Sequence, residues 1–127
     1  MVLYLVVALG GALGALGRWG VEELLPESGP MGWPWATLTV NVVGAFVIGI
    51  LATSARVAQG PPLLRPFLIA GVLGGFTTFS ALALETGQLL EAGQVLSALS
   101  YVAATFTAGL VAVAVGRGLV RREGRAP

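Results

Sequence analysis

Cysteine, histidine, lysine and aspartate are all absent from this sequence. Without thiols or imidazoles there can be no disulfide, no Cys- or His-ligated metal or haem, and no Cys or His nucleophile. The six acidic residues are all glutamates, mostly near the ends of apolar segments, which leaves hydrolytic chemistry little to work with. The chain therefore reads as something other than an enzyme. Charge is scarce as well: 10% of residues are charged, against about 25% in a soluble domain, and 56% are hydrophobic. With a mean hydropathy of +0.88, this is the composition of an integral membrane protein, whose solvent is the lipid bilayer. There is no G-x-x-x-x-G-K run, so no ATP-driven pump is expected. Neither nucleotide nor nucleic acid is an expected partner.

Four apolar segments fill the chain, and the expected fold is all-α with four transmembrane helices in one domain. They span about 2–25, 33–55, 66–90 and 92–116, the second and fourth without a charge and long enough for roughly 30 Å of hydrocarbon. The first segment has no basic residue ahead of its apolar run and leads into Gly-rich sequence and Arg18, so it reads as a first span rather than a signal peptide. Pro26, Gly29 and Pro30 predict the first turn. Trp33 and Trp35 suit the interfacial aromatic belt. Four spans put both termini on one side together with Arg56, Arg65, Arg117, Arg121, Arg122 and Arg125, while Arg18, Glu22, Glu23, Glu27 and Glu91 fall toward the other. The positive-inside rule then predicts cytoplasmic termini, in a plasma (inner) membrane protein.

Polar residues interrupt these spans in few places. G-V-L-G-G-F-T-T-F-S, residues 71–80, places paired glycines, paired threonines and a serine inside the third span. These are poor helix formers, and backbone released from helical bonding at membrane depth is tolerated only against protein or a water-filled path. A helix broken between Gly74 and Ser80 is the expectation, typical of ion sites. Gly74 and Gly75 acting only as close-packing residues is the plainer alternative. Asn41 stands mid-span, one helical turn after Thr37 on the same face. Alone, it is as well explained by an interhelical hydrogen bond. Ser97, Tyr101 and Thr105 recur every four residues on the fourth span, a stripe continued by Gly109. A lone threonine there would bond its own backbone. Glu85 is the one carboxylate well inside a span, and an intramembrane carboxylate is either functional or paired with a polar neighbour. Hydroxyl and amide donors with aromatic edges can satisfy an anion that sheds water. The lack of a mid-span cation suits rapid passage rather than tight retention.

Three runs arrive in order: G-G-A-L-G-A-L-G-R-W in the first span, A-T-L-T-V-N-V-V-G-A-F in the second, and G-V-L-G-G-F-T-T-F-S in the third. In these the chain resembles the Fluc/CrcB family of fluoride channels along essentially its whole length. The resemblance implies four-span subunits paired as an antiparallel dimer with two narrow fluoride pores. It also implies a structural sodium ion at the dimer interface, held by backbone carbonyls that here belong to Gly74 and Thr77. Carried onto this sequence, Asn41 would donate its amide to fluoride and Phe79 would supply the first ring of a pore-lining pair. Tyr101 and Thr105 would form the polar track, continued by Thr37, Ser80 and Glu85, and Arg18 would sit at a vestibule near the interface. One position departs: the motif T-T-F-S-x-F has its second phenylalanine where this chain has Leu82, so a large apolar side chain would form that wall. The six-to-one distribution of arginines also suits pairing with an oppositely inserted relative as well as with a second copy.

The leading expectation is a passive channel that exports cytoplasmic fluoride and so reduces its toxicity. Two alternatives remain at this stage: a small proton-coupled exporter of drugs or cations, for which Glu85 is the only candidate carboxylate, and a non-conducting structural subunit.

Overall fold

The computed structural model describes residues 1–25 and 32–123. The turn at Pro26, Gly29 and Pro30, together with Glu27 and Arg125, lies outside the described residues. Helix α1 runs over Val2–Leu24 and α2 over Trp35–Thr53, followed by a single short turn α3, Ala55–Ala58. The third span begins as a π-helix at Pro66–Leu73, continues through α4 at Gly74–Phe76 and resumes as α5 at Phe79–Glu91. Helix α6 covers Val95–Glu123. Four of these helical stretches are long and apolar enough to cross a membrane, and no strand occurs among the described residues.

Several boundaries differ from the hydropathy reading. The fourth helix starts later and runs past Gly116 through Arg117 and Arg121, because arginine is a good helix former and can carry its charge beyond the apolar zone. The third span is interrupted in a narrower place than the glycines suggest. Gly74–Phe76 stays helical, and the chain turns extended only at Thr77 (φ −83°, ψ 157°) and Thr78 (φ −145°, ψ 125°). Upstream, the wide π-turn sends the N–H of Gly74 to the carbonyl of Ile69, five residues back. Such widening is common near functional sites.

The helices pack mainly in two pairs: α1 against the first half of the third span, and α2 against α6, with α5 also on α6. The first pair depends on glycine. A Cβ on Gly14 would run into the carbonyl oxygen of Val72 and come within 2.8 Å of the Phe76 nitrogen, so the two backbones meet with no side chain between them, as membrane helices commonly do. A second close approach positions the break: a Cβ on Gly44 of α2 would strike the Thr77 methyl group. Around α5 and α6, Leu82, Leu89, Ala98 and Tyr101 form a buried cluster with Trp33 and Leu38 packed on it. Many large apolar side chains of α1 and α6 remain exposed, among them Leu9, Leu13, Leu16 and Leu110, as lipid-facing positions are.

Candidate functional site

The extended residues Thr77 and Thr78 face Asn41, and the amide of Asn41 fits the backbone there. Its Nδ2 donates to the Thr78 carbonyl (2.9 Å), and its Oδ1 accepts from the Thr78 N–H (2.8 Å). In an unbroken helix that N–H would donate to the carbonyl of Gly74, four residues back. The side chain of Thr78 then caps α5, its Oγ1 accepting from the Ala81 N–H (3.1 Å). The Ser80 hydroxyl is exposed and pairs with the same oxygen (3.2 Å). The short apolar-to-polar step T-T-F-S is thus an ordinary N-cap set inside a membrane span. From sequence Thr78 counts only as one of the paired threonines that mark the break; its capping role was signalled by its place three residues before a helical N–H.

One turn along α2, about 5.4 Å toward its N-terminus, lies a second polar cluster. Thr37 Oγ1 donates to Glu85 Oε1 (2.6 Å) and the Tyr101 hydroxyl donates to Glu85 Oε2 (2.6 Å). Tyr101 is fully buried and Thr37 nearly so. The carboxylate is therefore satisfied by two neutral hydroxyls from two other helices, with no cation beside it among the described residues. Trp33 closes this end, its ring edge-on to Tyr101 at 6.1 Å and tilted against Trp35 at 5.4 Å.

A cavity of about 230 Å³ opens beside the break, lined by Asn41, Thr77, Thr78, Phe79, Leu82, Thr105 and Phe106. A second, of about 290 Å³, lies on the other side of Asn41 and includes Gly44, Leu73, Gly74 and Thr77 in its wall. Of the residues singled out from sequence, the structure brings Asn41, Phe79, Leu82 and Thr105 around one cavity and Thr37, Glu85 and Tyr101 into one cluster. Gly74 and Thr77 share the second cavity. Thr105 spends its hydroxyl proton on the carbonyl of Tyr101 (2.9 Å), the local bond usual for threonine in such helices. Arg18 lies apart from both cavities: its Nε donates to the carbonyl of Gly75 (3.4 Å) and its guanidinium pairs with Glu22 (3.3 Å). Phe106 was not legible as a site residue, since a phenylalanine in an apolar span is ordinary.

An amide clamp on the broken third span thus adjoins a hydroxyl–carboxylate cluster one helical turn away. The model of the family described as CrcB-like protein, Camphor Resistance (CrcB), matches residues 5–117. The chain belongs to this family. It is 45% identical over 122 residues to a fluoride-specific ion channel of Rhodospirillum centenum, covering 95% of this chain and 97% of that one. It is 48% identical over 120 residues to a protein of the same description from Paracoccus denitrificans, covering 91% and 95%. A Thermus thermophilus relative, also described as a fluoride-specific ion channel, is 46% identical over 116 residues, covering 91% and 93%. Members of the CrcB-like family described in these terms are channels, not enzymes.

Proposed function

We propose that this chain is a fluoride-selective passive channel that lets cytoplasmic fluoride leave the cell. The observation that carries the proposal is the Thr37–Glu85–Tyr101 cluster one turn from the Asn41 clamp. Each hydroxyl solvates one oxygen of the Glu85 carboxylate at 2.6 Å, and fluoride is an anion of similar hardness that donors of the same kind can solvate. Asn41 carries two amide protons, of which one goes to Thr78, leaving the other to face an ion in the adjoining cavity. Phe79 lines that cavity, where the edge of its ring would offer positive potential to an anion, and Leu82 and Thr105 complete its wall. Ser80 continues the polar path through its pairing with Thr78. No fixed cation meets the ion along this route, so binding stays weak enough for release. Arg18, held against the Gly75 carbonyl, serves at the vestibule as an attractive charge outside the narrow part.

The driving force is simple. HF is uncharged, crosses the bilayer and ionises inside, where the anion is trapped. An inside-negative potential drives the anion outward with about 2.3 kcal/mol per charge per 100 mV. The arginine distribution favours cytoplasmic termini in the inner membrane. Two subunits, either two copies or this chain with an oppositely oriented relative, pair antiparallel. The backbone carbonyls of Gly74 and Thr77 would suit a sodium ion shared between the two subunits. With the Thr78 N–H committed to Asn41, the carbonyl of Gly74 is relieved of its helical donor, and Gly74 and Thr77 line one cavity. Backbone carbonyls are suitable ligands for a hard cation. Bound there, sodium would supply a structural charge that holds the two broken helices in place.

Reconstitution tests the function. Purified protein in fluoride-loaded liposomes should release fluoride with no nucleotide and no imposed proton gradient. Release that requires a proton gradient, and stops in Glu85→Gln, would favour a coupled exporter instead.

A further inference from the structure

The cavity beside the break has two aromatic walls, and only one of them stands on the third span. Phe79 lines it from the first turn of α5 and Phe106 from midway along α6, next to the buried Thr105; both rings are exposed on the single chain, at the mouth of the cavity. Leu82 also reaches the cavity, but it is 5% exposed and packed into the cluster with Leu89, Ala98 and Tyr101. Its methyl groups present no positive edge to an anion. The other lining residues are Asn41, Thr77, Thr78 and Thr105; the Thr77 and Thr105 hydroxyls donate to the carbonyls of Leu73 and Tyr101, so the wall is mostly apolar, with the Asn41 amide as its polar donor.

Resting on the channel reading above, we propose that Phe106 is the second ring of the anion cavity and fills the role left open by Leu82. An anion that gives up water between apolar walls is stabilised by a ring edge and repelled by a ring face, so a ring on each of two helices selects where the ion sits. Two such edges, with the free Asn41 proton, provide weak contacts from several directions without a fixed charge. Chloride, being larger, gains less from closely spaced edges, so Phe106 contributes to selectivity as well as to rate. Position 82 is thereby freed to serve as core, which explains how this chain manages with a leucine there.

The test is a ring exchange, read as initial fluoride efflux from liposomes normalised to incorporated protein, with chloride efflux measured alongside. Phe106→Leu keeps the apolar bulk and removes the ring; efflux of fluoride should fall about tenfold, the scale of one lost aromatic contact, with the fluoride-to-chloride ratio reduced. Leu82→Phe added to Phe106→Leu should recover at least a third of the flux lost in Phe106→Leu. Phe106→Met replaces Phe106→Leu if the latter does not elute as a single folded species. Wild-type flux in the ringless variant overturns the proposal, and so does a double variant no better than the single one. A wild-type protein that carries no fluoride at all overturns the channel reading itself, so the two failures are distinguishable.

Discussion

Asn41 holds Thr78 by both ends of its amide, at 2.9 Å through Nδ2 and 2.8 Å through Oδ1. The clamp replaces one rung of helical bonding with a side chain from a different helix. The break at Thr77–Thr78 is therefore held in place from α2 and does not depend on local sequence alone, and the same amide forms part of the walls of both cavities.

Asn41→Asp should suppress fluoride efflux by at least tenfold while leaving assembly largely intact. A carboxylate can still accept from the Thr78 N–H, but it cannot donate to the Thr78 carbonyl, and it turns acceptors or a negative charge toward the ion. The lost bond and the carbonyl left without a partner are worth about 1–3 kcal/mol. Efflux and elution volume, measured together, check this; wild-type efflux removes Asn41 from the site.

Gly44→Ala should destabilise the protein by about 1–3 kcal/mol, the usual range for overpacking, and reduce flux, because its Cβ collides with the Thr77 methyl at the break. Gly118→Ala is the control, with nothing within 4 Å of the added carbon. Thermal unfolding in detergent should separate the two by several degrees. Equal melting temperatures would mean that the break yields easily.

Much of this architecture is legible in the sequence because it follows from one-dimensional signals. Hydropathy marks four spans, and four helices of spanning length are present. The unusual composition of residues 71–80 marks the region of the break but not its place. Gly74–Phe76 remains helical because glycine-on-glycine packing fixes it: a Cβ on Gly75 would overlap the Gly11 carbonyl. Pairings are less accessible. Nothing in the residue pattern tells that Thr37 meets Glu85 across 48 residues, whereas the local bond from Thr105 to the Tyr101 carbonyl is the one expected of a threonine in a membrane helix. Phe106 is invisible for a different reason: apolar residues are the expected filling of a span, and only its place in the lining of the cavity beside the break sets it apart.

Glu85→Gln should keep fluoride efflux within about tenfold of wild type, since a glutamine oxygen still accepts from one of the two hydroxyls. Tyr101→Phe should be the more harmful change. It removes a donor both from the carboxylate, where such bonds are worth about 1.5–3 kcal/mol, and from the permeating ion. Abolition in Glu85→Gln with normal flux in Tyr101→Phe would reverse these assignments.

Exchanging sodium for a bulky organic cation throughout purification should weaken the dimer or its activity, because ion binding to the assembled state adds directly to its stability. Subunit exchange between two labelled batches measures this. Unchanged exchange and unchanged flux, after elemental analysis confirms that the ion is gone, would contradict a shared site at Gly74 and Thr77.

The central claim is tested most directly by fluoride efflux from liposomes containing the wild-type protein, started with a potassium ionophore to balance charge and followed with a fluoride electrode. Rapid release of fluoride, little release of chloride under the same conditions, and no dependence on an imposed proton gradient are the predicted results. Fluoride efflux no faster than from protein-free liposomes, in protein shown to be folded and incorporated, would contradict the account.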